Sequence, residues 1–144
     1  MSNPLHATLI AHRSAGAWRG VLLRGPSGVG KSDLALRLTG RGWRLVADDR
    51  VIAWRSGDRV FGRTPDALRN LIEVRGVGVI PRPALRFAEI AAVIDCLPAG
   101  EPIERIPVAA SVEIGGVALP LLHLHPLESG APDKVAAFCG AAHV

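Results

Sequence analysis

Eight consecutive residues, Gly25-Pro26-Ser27-Gly28-Val29-Gly30-Lys31-Ser32, constrain this chain more than any others. They satisfy the pattern G-x-x-x-x-G-K-[ST] in full. Val21-Leu22-Leu23 runs straight into them and reads as a short buried strand. Beyond them, Leu34, Ala35 and Leu38 recur at helical spacing within Asp33 to Arg41, with Gly40 and Gly42 as the stop. Strand, glycine-rich turn and helix form the context in which this pattern has a physical meaning. Glycines let successive backbone N–H groups turn inward around a phosphate. The helix that follows aims its partially positive N-terminus at the same anion. Lys31 is placed to reach the outer phosphates of a nucleotide, and the Ser32 hydroxyl to ligate Mg²⁺. A glycine-rich turn that binds nothing is the alternative, and the flanking elements argue against it.

The rest of the chain reads as alternating short strands and turns. Ala7 to Ala11 is a strand candidate, and Ser14 to Gly20 reads as a turn punctuated by two glycines. Arg44 to Ala47 is a second strand, closed by Asp48-Asp49. Val51 to Trp54 and Val60-Phe61, around Ser56-Gly57-Asp58, predict a β-hairpin. Pro65 to Asn70 fits one helical turn. Leu71 to Pro81 has too many glycines for a helix and reads as a strand end and a loop. Ile90 to Ile94 is a buried strand candidate, and Val112 to Val117 with Leu119 to Leu124 a hairpin around Gly115-Gly116. Pro132 to Ala142 reads as a closing helix with proline in its first turn. There are no repeats or long linkers, and the 144 residues suit one domain.

Several side chains could do chemistry beside the loop. Asp48-Asp49 ends a strand expected to lie next to the one entering the loop, which would put two carboxylates at the ligand edge of an α/β sheet. One carboxylate would hold Mg²⁺, directly or through water, and the other would accept a proton from an attacking hydroxyl. An acidic cap on a strand end is the plainer reading. Glu73 and Arg75 stand two residues apart on one face of an extended segment. Glu73 suits a metal ligand and Arg75 a phosphate clamp, or the two form an exposed ion pair. His6 ahead of the first strand reads, taken alone, as structural or exposed. His123 and His125 share a strand face with no third ligand nearby, which argues against zinc. Cys96 and Cys139 have neither metal-ligand nor redox spacing and read as buried small hydrophobes.

Charge is divided along the chain. Residues 1–86 carry 15 basic and 6 acidic side chains, a balance of +9, whereas residues 87–144 carry 2 and 7, a balance of −5. A basic front half suits an anionic partner, although solvated arginines in an arginine-rich proteome explain much of it. Trp18, Trp43 and Trp54 are scattered and form no stacking platform for single-stranded nucleic acid. No apolar run approaches the ~18–20 residues of a membrane span, and the N-terminus lacks the pattern of a secretory signal. A cytoplasmic protein without membrane or nucleic-acid partners is the expectation.

Three blocks of the sequence resemble the HPr kinase/phosphorylase family, specifically its C-terminal catalytic domain. They are Gly25 through Leu36, Arg41-Gly42-Trp43-Arg44-Leu45-Val46-Ala47-Asp48-Asp49-Arg50-Val51, and Leu71-Ile72-Glu73-Val74-Arg75-Gly76-Val77-Gly78-Val79-Ile80. Leu5-His6 resembles the family's histidine ahead of the first core strand, and the similarity covers roughly residues 5–80. The resemblance implies an α/β P-loop domain with a mixed sheet, of the phosphoenolpyruvate-carboxykinase-like type, occupying residues 1–144 as a short form. It implies ATP- and Mg²⁺-dependent phosphorylation of a serine on the phosphocarrier HPr, in regulation of the sugar phosphotransferase system, by a homo-oligomer. It assigns Asp49 as proton acceptor and Asp48 as support for it or for the metal shell. Lys31 would neutralise the transferred phosphate, Ser32 and Glu73 hold Mg²⁺, and His6 assist near the carboxylate. Longer members carry a late arginine tied to the reverse, phosphate-dependent reaction. Residues 106–125 contain no arginine, so the forward reaction is the expectation here.

Three other classes of function fit parts of this pattern, one of them a nucleic-acid binder, suggested by the +9 front half but lacking any recognisable reader motif. A small-molecule P-loop kinase would be favoured by a lid with several arginines, but residues 87–144 contain just Arg105. A nucleotide-binding regulatory module would bind without turnover.

Overall fold

The computed structural model describes residues 4–144. A mixed sheet of eight strands, six on its main path and two in a hairpin that covers one of its faces, carries two helices on the other face. Its main path uses β1 (Ala7–Ser14), β2 (Ala17–Arg24), β3 (Arg44–Ala47), β8 (Ala88–Cys96), β9 (Ala110–Ile114) and β10 (Val117–Leu124). Their order is β3-β1-β2-β8-β10-β9. The hairpin β4 (Ile52–Ser56) and β5 (Arg59–Arg63) joins through β5 to the start of β8. A separate ribbon, β6 (Leu71–Val74) and β7 (Gly78–Pro81), and the helices α1 (Lys31–Thr39) and α2 (Ala131–Ala141) complete the domain.

Strand direction decides where a site can lie. β1 is antiparallel to both β2 and β3, so β2 and β3 run the same way. β8 is parallel to β2 and β10 is parallel to β8. Four strands therefore end at one edge of the sheet, and β1 begins there. Loop backbones at such an edge leave N–H and side-chain groups free to meet a ligand.

Alternation along the strands builds two cores. Ile10, Val21, Leu23, Ile94 and Cys96 face the helices, against Leu34, Leu38 and Val135. Leu9, Leu22, Ile90 and Val93 face the hairpin, against Val51 and Val60. Both faces of β2 and β8 are covered, so these strands read as nearly continuous apolar runs. Among the described residues no helix is long and apolar enough to cross a membrane.

The structure corrects three local expectations. The turn anticipated over Ser14 to Gly20 is confined to Ala15-Gly16, with φ of 52° and 80°, and the strands run on to either side. Two left-handed residues match the twist of the flanking strands, but alanine in the first position hides the usual Asn-Gly signature. The strand preceding Asp48-Asp49 does not lie beside the loop-bearing strand, because β1 pairs between them. Leu71 to Pro81 is a complete two-stranded ribbon rather than a strand end and loop, and Arg75 sits in its turn rather than on an extended face with Glu73. The three tryptophans are indeed apart, and Trp54 packs with Phe61 and Phe87 in a partly exposed aromatic cluster.

Gly20 marks a close approach between β2 and β8. A Cβ there would lie 2.5 Å from the Glu89 carbonyl oxygen, a backbone atom that cannot swing aside. Gly20→Ala is expected to lower stability by about 1–3 kcal/mol. The readout is the urea midpoint, with an unchanged denaturant slope. A variant as stable as the parent would contradict this packing.

Candidate active site

The loop between β2 and α1 is built at the edge where the parallel strands end. Gly25 has φ of 150°, and a Cβ on it would stand 2.5 Å from the Cys96 carbonyl oxygen. Glycine is therefore required both by backbone conformation and by space. Just before it, Arg24 makes a two-pronged ion pair with Asp95 on β8, at 2.8 and 3.1 Å. This pairing ties the entrance of the loop to the neighbouring strand. Lys31 is almost fully buried, and its ammonium donates to the Gly25 and Pro26 carbonyl oxygens at 2.7 and 3.1 Å.

Asp48 is the best-anchored acid of the site. Its Oδ1 accepts hydrogen bonds from Ser32 Oγ at 2.6 Å and from Thr8 Oγ1 at 3.0 Å. Its Oδ2 accepts from the Glu73 backbone N–H at 3.0 Å. One buried carboxylate thus joins the start of α1, β1, the end of β3 and β6. Asp49 turns elsewhere. It has φ of 68°, unusual for a residue other than glycine, and its Oδ1 lies 2.6 Å from His6 Nε2. Both members of this pair are more than half exposed. Thr8 Oγ1 also accepts from the Asp49 N–H at 3.4 Å, so one hydroxyl contacts both halves of the acidic doublet.

A cavity of about 350 Å³ lies over the loop. Its wall brings together Ser27, Gly28, Gly30, Lys31 and Ser32 with Asp49, Glu73 and Arg75. An Arg75 guanidinium nitrogen lies 3.3 Å from the point a Cβ on Gly28 would occupy. Pro26 and Val29 stand on the other side of the loop, facing a second cavity. His6 reaches the first cavity's margin through Asp49.

Other residues of the site left little trace in the sequence. Thr8 is fully buried, and its signal was one polar side chain within an apolar run. Leu127 is largely exposed and lines the cavity beside Gly30, and nothing in its local sequence announces it. Neither His123 nor His125 belongs to the cavity. His123 Nε2 is 3.9 Å from Asp95, and His125 Nδ1 is 3.3 Å from the Leu97 carbonyl oxygen.

The donor set fits magnesium. Hydroxyl and carboxylate oxygens are hard donors, and this ion is usually held by one or two carboxylates together with substrate phosphates rather than by a protein cage. Ser32, Asp48 and Glu73 supply such oxygens around the loop. Among the described residues there is no group of three or more histidine, cysteine, aspartate or glutamate side chains that could hold a metal ion by itself.

Cys96 lies against the loop but not as a reactive group. Burial disfavours the thiolate and pushes its pKa up to about 12, and burial raises Cys139 to about 11. In the folded protein neither thiol is expected to react with an aromatic disulfide reagent below about pH 9, and both should react after denaturation. Labelling of either before unfolding would contradict their burial.

Residues 5–85, more than half of the chain, match the family described as the HPr Serine kinase C-terminal domain. An HPr kinase/phosphorylase of Streptococcus uberis is 36% identical over 122 residues, covering 77% of this chain and 39% of that protein. One from Lactobacillus acidophilus is 47% identical over 79 residues, covering 54% of this chain and 23% of that protein. The chain thus spans about two fifths or less of the length of these relatives. In structure it is similar to the Hpr(Ser) kinase/phosphatase of Coxiella burnetii, with a TM-score of 0.82 and 22% identity over 99% of this chain and 97% of that one. At that identity the likeness is one of fold, in keeping with the α/β domain with a mixed sheet expected from the sequence.

Proposed function

The chain belongs to the HPr serine kinase C-terminal domain family, and from that premise we propose that it transfers the terminal phosphoryl group of ATP to a serine of an HPr-type phosphocarrier protein. The observation that carries the reading is the 2.6 Å hydrogen bond between Ser32 and Asp48, with Asp49 next in sequence on the wall of the loop's cavity. It couples a phosphate-binding loop to an acidic doublet, the combination that phosphoryl transfer to a hydroxyl requires.

In this reading the residues divide the work. Backbone N–H groups of the Gly25–Ser32 loop, all but Pro26, which has none, cradle the phosphates, and Lys31 exchanges its carbonyl partners for phosphate oxygens. Ser32 and Glu73, with Asp48 in support, would hold a magnesium ion, which would supply charge neutralisation on the phosphate oxygens. Asp49 accepts the proton of the target serine, and His6 holds the carboxylate oriented for it. Arg75, on the turn beside Gly28, pairs with a phosphate or with an acidic group of the protein substrate. Little covalent chemistry falls to the protein, so positioning and charge carry the rate. The forward direction is favoured because residues 106–125 supply no arginine for the reverse one.

The test is mass spectrometry of purified HPr after incubation with the protein, ATP and Mg²⁺, with and without inorganic phosphate. One added phosphoryl group on a serine supports the reading. Nucleotide binding without transfer would favour a regulatory module, and transfer to a small hydroxyl compound alone would favour a small-molecule kinase.

Two substitutions test the division of labour. Asp49→Asn is expected to abolish transfer while nucleotide affinity stays within about twofold, because it removes the proton acceptor rather than the cradle. Normal turnover in that variant would remove Asp49 from the role. Lys31→Ala is expected to lower kcat by roughly 10²-fold or more, with a smaller change in KM.

A further inference from the structure

Residues 48–50 leave the strand ladder where the acidic doublet stands. On one side of them Ala47 is paired with Leu9. On the other, Val51 exchanges both backbone hydrogen bonds with Leu5, at 2.7 and 2.9 Å. The two pairs share one antiparallel register, so Asp48-Asp49-Arg50 stands opposite His6-Ala7-Thr8. Instead of pairing across, the segment folds on itself. The Arg50 N–H donates to the Asp48 carbonyl oxygen at 2.8 Å, and Asp49 between them has φ of 68°. A hydrogen bond spanning two residues around a positive φ is the rare, strained form of γ-turn. A residue with a side chain keeps such a conformation only where its surroundings impose it.

Thr8 is the side chain placed to impose it. His6 and Thr8 stand two residues apart in extended chain and so share a face, the first reaching Asp49 and the second Asp48. An ionised carboxylate only accepts, so the one Thr8 hydroxyl proton goes to Asp48 Oδ1, at 3.0 Å. That leaves a lone pair for the Asp49 N–H, which donates to Thr8 Oγ1 over 3.4 Å. We propose that Thr8 is a positioning residue for proton transfer: its hydroxyl ties the Asp49 amide to the anchored Asp48 and holds the γ-turn that sets the Asp49 carboxylate on the wall of the loop's cavity. The proposal rests on Asp49 being the proton acceptor of the phosphoryl-transfer reading above. His6 then fixes the carboxylate from the exposed side, and Thr8 fixes the backbone from the buried side. Thr8 is fully buried, so losing its hydroxyl would leave its partners unpaired rather than solvated. The two partners are not equally vulnerable. Asp48 would still accept from the Ser32 hydroxyl and the Glu73 amide, so the loss falls chiefly on Asp49.

The experiment is steady-state kinetics of phosphoryl transfer from ATP to purified HPr, with ATP affinity from calorimetry, for the whole chain, Thr8→Val and Thr8→Ser. Valine matches threonine in shape and lacks the hydroxyl, whereas serine keeps it. Thr8→Val is expected to lower kcat by about 10- to 100-fold, the scale of loss when a reacting group is misplaced by about 1 Å. ATP affinity and the KM for HPr should stay within about threefold, because the loop and Asp48 keep their other bonds. Thr8→Ser should keep kcat within about threefold of the parent. Should Thr8→Val fail to fold, Thr8→Cys takes its place: a thiol is close to serine in shape but a weak hydrogen-bonding group, and kcat should fall at least about tenfold below that of Thr8→Ser. A smaller loss of kcat in the variant without the hydroxyl overturns the proposal alone. So does an equal loss in Thr8→Ser, which would make the methyl group the cause, or a loss confined to ATP affinity, which would place the role at the loop. Absence of transfer by the unaltered protein overturns the phosphoryl-transfer reading and this proposal with it.

Discussion

Asp48 is a buried carboxylate, and water alone would stabilise it better than an apolar interior could. What keeps it in place is a full set of donors: the Ser32 hydroxyl, the Thr8 hydroxyl and the Glu73 amide. Each charge-assisted hydrogen bond of this kind contributes on the order of 1.5–3 kcal/mol. Removing one donor would leave part of the charge uncompensated, so the elements that carry them are coupled. The start of α1, strand β1 and the ribbon β6–β7 are held around the end of β3 by one side chain. The phosphate loop, the doublet and the Glu73–Arg75 turn owe their mutual position to it.

The sheet makes this arrangement possible without a large domain. With β2, β3, β8 and β10 all ending at one edge, four loops converge there, and β1 delivers His6 and Thr8 from the opposite direction. The edge is divided in two by the loop itself. On the β3 side lie hydroxyls, carboxylates and a histidine, suited to charge and proton transfer. On the β8–β10 side lie mainly apolar residues, with His125 and Glu128 among them. The family match covers the first side and stops before the second.

Much of the fold was legible because local pattern and tertiary role agree. The glycine-rich loop, the helix after it, the buried strand Ile90 to Ile94 and the closing helix follow from periodicity and turn residues, and they stand within a few residues of expectation. Misreadings arose where local signals mislead. Ala15 occupies a left-handed turn position that alanine rarely takes, so a tight hairpin looked like a long turn. Glycines in Leu71 to Pro81 looked like loop residues, yet Gly76 makes the turn and Gly78 starts a paired strand. Strand neighbours were the hardest to foresee. Nothing in Arg44 to Ala47 says that β1 intervenes between β3 and β2, because pairing depends on contacts distant in sequence.

The sequence by itself determined the anion-binding loop, the acidic doublet and the apolar strands that bury themselves, since each depends on residues adjacent along the chain. Only the tertiary structure decided that Asp48 and Asp49 part ways, one inward to Ser32 and the other outward to His6. It alone decided that Thr8 contacts both and that Leu127 stands between two cavities. The physical reason is range. Backbone conformation and helix or strand period are set by near neighbours, whereas the direction of a carboxylate is set by whichever donors folding brings within hydrogen-bond distance, and here those lie up to 43 residues away.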